Sequence, residues 1–432
     1  SGSLLIQTQS GGFTKSQAAL FRKDMFFEDV DAGFFDADND GDPDLLVVSG
    51  GNEYILPNPF MKDRLYLNQG DGNFIRADKN LPAIYHNGSC FAPGDIDGDG
   101  DLDIFLGSRS MPGAYGISPA SYLLVNDGKG FFTDMTAELA PELSDIGMVT
   151  DAVWMDMDLD DDPDLVVTGE WMPVIILANE GGRLVKNPDT GTGQSGGWWF
   201  TLEVTDIDND GDEDLVAGNL GLNSYLTATP EYPVRLYIND FDQDGRLDHI
   251  ITSYKQGTEY PFAPADNLFD QIPALRSMYK DYADFAGTSI HELFPGGIPG
   301  NSIIREVHCF ESSIFINDGK GSFERIPLPA EIQFSPVLDL LIADIDLDQQ
   351  PEMLVGGNFY PVIPYFGMYD ASYGWLVRIL PGLQLEVLYP EKSGFQVKGE
   401  IRDMEIFRTG RDRKVIVGVN NQSPEVFKFT GK

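Results

Sequence analysis

Basic residues are scarce in this chain: 29 lysines and arginines stand against 69 aspartates and glutamates, a formal net charge of −40. Nothing here could neutralise a phosphate backbone, so nucleic acid and anionic membrane surfaces are excluded as partners. Cysteine is nearly absent. Cys90 and Cys309 match no metal or redox spacing and read as buried small hydrophobes, with one long-range disulfide the other arrangement open to them. The four histidines, His86, His249, His291 and His308, form no His-x-x-x-His pair, which leaves zinc or a histidine base without support. No apolar run approaches the ~20 residues of a membrane helix, and no Gly-x-Ser-x-Gly elbow or phosphate loop occurs. The start Ser1-Gly2-Ser3, without an initiator methionine, reads as a processed or excised fragment, so the missing signal peptide says nothing about secretion.

What the chain does contain is enough apolar residue for a large core, 42% hydrophobic and 12% aromatic over 432 residues, too much for a disordered protein. It also contains a repeat. An acidic nonapeptide begins at Asp36 ("DADNDGDPD"), Asp95 ("DIDGDGDLD"), Asp156 ("DMDLDDDPD"), Asp206 ("DIDNDGDED") and Asp240 ("DFDQDGRLD"), with a worn copy at Asp344 ("DIDLDQQPE"). Each copy feeds a short, β-branched-rich apolar run such as "LLVVSGG" or "LVAGN", which is a strand rather than a helix. Four copies are followed by a second module, "LYLNQGDGNF", "LLVNDGKGFF", "ILANEGGRL" or "IFINDGKGSF", whose alternation around an Asn-x-Gly-like turn signals a hairpin.

One unit therefore reads strand, acidic loop, strand, variable loop, strand, tight turn, strand. Repetition of four antiparallel strands describes the blades of a β-propeller. With a metal-less equivalent near Asp403 ("IRDMEIF") the units number seven, and six or eight are the alternatives because the step from 206 to 240 is too short for a full blade. The expectation is an all-β, seven-bladed β-propeller over residues 1–432, in which "LLIQTQSGGF" (4–13) supplies N-terminal strands that close the last blade. Residues 258–309 break the pattern: the spacing of Leu268, Ile272, Leu275, Met278 and Tyr282 predicts a helical insertion.

In the nonapeptides, carboxylates at positions one, three, five and nine, a turn residue at six and a carbonyl near seven supply hard oxygen donors that suit Ca²⁺. The EF-hand alternative fails, because position twelve is Val47, Leu106, Val167 or Ala217, inside a strand. The candidate ligands are Asp36, Asp38, Asp40, Asp42 and Asp44; Asp95, Asp97, Asp99, Asp101 and Asp103; and Asp156, Asp158, Asp160, Asp162 and Asp164. They continue with Asp206, Asp208, Asp210, Asp212 and Asp214; Asp240, Asp242, Asp244, Arg246 (through its carbonyl) and Asp248; and Asp344, Asp346, Asp348 and Glu352. Five Ca²⁺ sites are expected, with the Asp344 loop a sixth. The nonapeptides hold 30 of the 69 acidic residues, and so dense a cluster without metal would repel itself and raise its own pKa values. A glycosidase pair of carboxylates does not recur once per blade, so the repetition argues for structure.

These repeats resemble the FG-GAP/VCBS family, the integrin α-type propeller blade with "DxDxDGxxD" calcium loops, and "FAPGDIDGDGDLD" (91–103) matches that pattern. The stretches "DAGFFDADNDGDPDLLVVSGGNEY", "GWW", "GNLGLNS", "FESS" and "QFSPV" are similar to bacterial VCBS-repeat proteins related to cartilage acidic protein, which often carry an ASPIC/UnbV domain that is not found here. The resemblance implies calcium, an extracytoplasmic location (periplasm, outer-membrane surface or secreted) and an origin in a larger multidomain protein. It implies no reaction.

The variable loops would lie on the face opposite the acidic loops. They bring Glu53, Tyr54, Arg109, Glu170, Trp171, Asn219, Asn223, Lys255, Glu259, Asn358, Tyr360, Asn420 and Asn421 toward the axis, amides and aromatics that suit a sugar or peptide. Trp198 could stack on a sugar, whereas Trp199 precedes an inner strand and reads as core. The leading expectation is a non-catalytic module that recognises a glycan or protein. A polysaccharide lyase or hydrolase using Arg109, Glu170 or Glu259 on the same face is the alternative, and a structural spacer is a third.

Overall fold

The computed structural model describes residues 2–8, 12–70, 72–409 and 412–429. The turn of the N-terminal hairpin at 9–11 and Asp71 of the first Asn-x-Gly turn lie outside the described residues. Antiparallel sheets dominate, in a propeller-like succession. The innermost strands are Asp29–Phe35, Gly88–Gly94, Met148–Met155, Thr201–Thr205, Val337–Ala343 and Ile401–Thr409, and each packs against the next in chain order. Each pairs with a second strand that starts at or just after an acidic loop, except in the sixth sheet, where Asp412–Val419 has no such loop before it.

Six sheets thus follow one another, where the sequence reading expected seven units. The difference lies at Asp240. Its loop joins strand Val234–Asn239 to Asp248–Lys255 in a separate four-stranded sheet, inserted between the second and third strands of the fourth sheet. That placement explains the short step from 206 to 240. The insertion also carries the helical segment, but as four short helices, Ala265–Gln271, Leu275–Met278, Tyr282–Phe285 and Ile290–Leu293. Pro273 cannot continue a helix, and Asp281 starts a new one by accepting from the Asp284 amide at 3.0 Å. The predicted apolar face therefore stops early: Leu268, Ile272 and Leu275 are buried, whereas Met278 and Tyr282 are exposed.

The second strands Asp44–Ser49, Asp103–Ser108, Asp164–Met172 and Glu352–Gly357 are buried along their whole length, because a neighbouring sheet covers each face. This is why their sequences read as continuous apolar runs rather than alternating ones. The core is accordingly a row of clusters between successive sheets, for example Phe105 and Leu123 against Val149 and Val167, or Val216 and Ile314 against Met353 and Val377. Cys90 and Cys309 are buried, unpaired, and sit in different clusters. Inner strands approach so closely that a Cβ on Gly33 would come within 2.7 Å of the Phe91 ring. The N-terminal hairpin, Leu4–Gln7 with Phe13–Ser16, pairs with itself. It touches the sixth sheet, where Gln7 donates to Arg408 O at 3.2 Å and Phe13 meets Phe407, and Gln17 just after it accepts from the Phe74 amide of the first sheet.

Candidate functional site

All six acidic loops share one backbone solution. Position four is left-handed in all six, at Asn39, Gly98, Leu159, Asn209, Gln243 and Leu347. Position six is left-handed in all, including Asp161 (φ 71°) and Gln349 (φ 75°), where glycine is replaced. The first carboxylate turns the loop on itself, as when Asp95 Oδ2 accepts from Gly100 N at 3.0 Å or Asp240 Oδ2 from Gly245 N at 2.9 Å. In the worn copy the first carboxylate accepts one residue earlier, with Asp348 N donating to Asp344 Oδ1 at 3.0 Å.

The ninth position does two jobs. Asp44, Asp103, Asp164 and Asp214 each accept from the second residue of their own loop and from the asparagine that ends the third strand; for Asp103 these are Ile96 N at 3.1 Å and Asn126 N at 2.8 Å. Those asparagines explain the second module. Asn126, Asn179 and Asn317 donate through Nδ2 to Ala37 O, Ile96 O and Met157 O at 2.8–2.9 Å, carbonyls in the acidic loop of the preceding sheet. These three hairpin turns thus fasten their sheets to the neighbour's loop, whereas Asn68 of the first sheet donates to Pro43 O of its own loop.

Carboxylate oxygens of Asp36, Asp38 and Asp40 lie within 4.8 Å of one another, as do those of Asp95, Asp97 and Asp99 and those of Asp206, Asp208 and Asp210. In two further loops the triads are Asp156, Asp158 and Asp164, and Asp240, Asp242 and Asp248. Oδ1 of Asp36, Asp38, Asp101 and Asp212 is buried with no hydrogen-bond partner. Orphaned carboxylate oxygens facing like charges are costly unless a cation satisfies them, so these residues fit a hard divalent ion. Burial, then the neighbouring aspartates, push Asp101 and Asp212 up to about 6.

At the other end of the same innermost strands lies a cavity of about 780 Å³. Val30, Ser89, Thr150, Phe200, Leu338 and Arg402 line it, one residue from the beginning of each of the six innermost strands or the position just before it. The convergence follows from a shared irregularity: five of these strands carry a β-bulge there, ahead of Asp31, Cys90, Asp151, Asp339 and Asp403. Two of the bulge carboxylates stitch adjacent strands, Asp31 accepting from Phe91 N at 3.0 Å and Asp151 from Leu202 N at 2.7 Å. Burial raises Asp31 to about 6, and Asp151 and Glu203 to about 7, with nearby carboxylates adding to the shift.

Of the expected ligand-face residues, the structure brings Arg109 and Asn420 to this cavity. Glu170 stands behind Arg109, ion-paired to it and accepting from Tyr115 Oη at 2.7 Å. Trp171 is buried and donates to Tyr115 Oη. Glu53 and Tyr54 line an adjoining hollow with Glu28 and Asp29. The others are placed elsewhere. Asn219 and Asn358 are buried loop fasteners, Asn358 Nδ2 donating to Ser372 O at 2.7 Å and Gly399 O at 2.8 Å. Asn223 clips Phe334 O, Tyr360 lends its amide to Glu400, and Asn421 is exposed with a left-handed backbone. Lys255 and Glu259 belong to the inserted sheet, where Glu259 is buried among Thr252, Tyr237 and Arg235. Arg109, Glu170 and Glu259 therefore do not share a site. Trp199 is core and Trp198 packs edge-on against Trp171. Sequence reasoning missed Glu28, Asn52, Asn87, Ser89, Tyr115 and Arg402. A signal existed: an acidic residue recurs five positions before the acidic loop at Asp31, Asp151 and Asp339, marking the bulge beside the cavity.

The sheets and loops define a class, an all-β protein of propeller-like sheets joined by acidic, metal-competent loops. Within that class the chain carries FG-GAP-like repeats: the model of that repeat matches residues 36–106 and 156–217, which supports assignment to the FG-GAP/VCBS-repeat proteins. No curated protein matches. Similar solved structures include an Agrocybe aegerita lectin that recognises non-reducing terminal N-acetylglucosamine, at 16% identity over 77% of this chain and 89% of that one, TM-score 0.35. The V. cholerae biofilm matrix protein Bap1 is 10% identical over 90% of this chain and 74% of that one, TM-score 0.34. The exotype rhamnogalacturonan lyase YesX is 15% identical over 99% of this chain and 74% of that one, TM-score 0.29. At these values the likeness carries no function to this chain. Among the described residues no helix is long and apolar enough to cross a membrane.

Proposed function

We propose that the chain is a calcium-stabilised, ring-closed propeller that recognises a glycan or protein ligand through its central cavity, outside the cytoplasm and without chemistry of its own. The observation that carries this reading is the meeting of all six innermost strands at one polar cavity, at the opposite end from the acidic loops. Calcium is the ion of choice because the loops offer only oxygen donors on a backbone already turned to present them. Bound ions would supply the positive charge the loops lack. The residues around them hold the shape: the ninth carboxylate ties the loop to the third strand, and the hairpin asparagine ties it to the next sheet. We take residues 1–432 as one unit, with the N-terminal hairpin wedged between the sixth and first sheets to close the ring. The motifs similar to bacterial relatives of cartilage acidic protein support a setting within a larger extracytoplasmic protein.

The test is array screening of glycans and proteins in calcium, with wild type and a Ser89→Trp variant that fills the cavity floor. The reading expects a calcium-dependent ligand that is lost on plugging while the melting temperature holds. Silence across both arrays, or a ligand indifferent to the plug, would overturn it.

A further inference from the structure

In a chain of formal charge −40, two of the few cations face the same cavity. Arg109 comes from the end of the second sheet's Asp103–Ser108 strand, and Arg402 from the start of the sixth sheet's innermost strand. Each is held from behind by a buried carboxylate. Arg109 pairs with Glu170, which Tyr115 also holds; Arg402 pairs with Glu400, which accepts in addition from Asn420 Nδ2 and from Tyr360 N at 2.7 Å. Both guanidinium side chains remain open to solvent, 45% and 41% exposed, in front of partners that are 10% and 4% exposed.

A guanidinium has five N–H donors in a planar fork. Arg109 and Arg402 each give one to the carboxylate behind, and Arg402 also lies over the Phe359 ring, 5.5 Å from its centroid; both residues line the cavity, which leaves N–H donors of each fork for a ligand there. Glu400 and Glu170 fix the forks in place before any ligand arrives, which lowers the ordering cost of binding. Burial and the charge of Arg109, opposed by Glu400, hold Arg402 below its ordinary pKa. An anion between the two would relieve that repulsion.

We propose, resting on the recognition reading above, that the central cavity takes a carboxylate-bearing sugar unit of an acidic glycan, its carboxylate gripped between Arg109 and Arg402. The rest of the lining selects a sugar over other carboxylates. Tyr115 and Phe200 offer ring faces, and Asn52 offers an amide. Glu28, just before the first innermost strand, also lines the cavity, able to accept sugar hydroxyls and unfavourable to a second acid close by. A peptide bound by strand addition would need a free sheet edge, whereas this lining comes from strand ends and loops; an acidic peptide held by the two arginines is an outcome of the test below.

The experiment is titration calorimetry of the calcium-loaded chain with trigalacturonate, a glucuronate trimer and N-acetylneuraminyl-lactose, each beside its neutral counterpart. At least one acidic member is expected to bind tenfold or more tightly than its counterpart, and Arg402→Met to weaken it tenfold or more. Arg109→Met leaves Glu170 buried and unpaired, so Arg109→Met/Glu170→Gln is measured with it; the double variant is expected to keep the wild-type melting temperature and still lose binding. Equal binding of neutral sugars, lost in Ser89→Trp, would overturn the carboxylate inference and leave the recognition reading standing. Acidic binding untouched by the arginine variants would overturn it too, as would binding of acidic peptides with the same dependence on both arginines. Absence of any glycan binding would remove the inference, while a protein ligand lost on plugging would keep the reading on which it rests.

Discussion

At one end of five of the six innermost strands, and once more in the inserted sheet, the same nine-residue loop recurs, and in five of the six copies its first carboxylate accepts from the amide at position six. At the other end no two sheets contribute alike: Val30, Ser89, Thr150, Phe200, Leu338 and Arg402 share a position and little chemistry. The loop is closed almost entirely by its own residues and one asparagine, so it can be copied whole from sheet to sheet. The cavity exists only where six strands meet, so each contribution can differ while the bulge that presents it stays constant. Repetition here marks what fastens the sheets, and variation marks the cavity proposed for recognition.

Calcium removal should expose that division most sharply. A site filled at 100 times its Kd contributes about 2.7 kcal/mol, so emptying five would withdraw more than about 10 kcal/mol. Chelation is expected to lower the melting temperature by on the order of 15 °C, measured by differential scanning calorimetry with and without a chelator. An unchanged melting temperature would end the structural role of the loops and, with it, the contrast between the two ends.

A smaller effect should follow from cutting one fastening. Asn126 is buried and donates to Ala37 O of the first sheet's loop and to Leu102 O of its own. Asn126→Ala leaves both carbonyls without that partner, at roughly 1–3 kcal/mol for each buried group. Chemical denaturation in saturating calcium should show a loss of about 3 kcal/mol. Because Asn126 lies at the loop end, ligand affinity should stay within twofold; a variant that loses binding but not stability would reverse the assignment of the two ends.

The legibility of the sequence divides along the same line. The acidic loops, the strand that follows each and the hairpin turns could be read, because their hydrogen bonds span few residues. The seventh unit could not be placed, because nothing local in "DFDQDGRLD" says that its strands pair among themselves rather than with the axis. Of the residues expected on the variable-loop face, Arg109 and Asn420 line the cavity, Glu170 stands behind it and Glu53 and Tyr54 line the adjoining hollow. Asn219, Asn358 and Glu259 carry the right chemistry but spend it on their own loops and sheet. Arg402 was overlooked because its sheet has no acidic loop to mark it.

Between the two ends runs a set of carboxylates that belongs to neither, and its titration should give the smallest effect. Glu203 on the fourth innermost strand is raised to about 7 by burial, then by Asp151 and Glu405. Its unfolded value is about 4.3. Between those values the native state binds more protons than the unfolded one, so this group's contribution falls as pH rises through the window and is fully regained below it. The loops should respond in the opposite sense, since protonation releases their ions. Glu203→Gln keeps an acceptor for its neighbours and removes the charge. In saturating calcium the variant should equal wild type below about pH 4 and exceed it by on the order of 1–2 kcal/mol at pH 8. A difference that does not change with pH would mean that the interior between loops and cavity carries its acid at no cost, and that the charge tolerated there needs a counter-ion of its own.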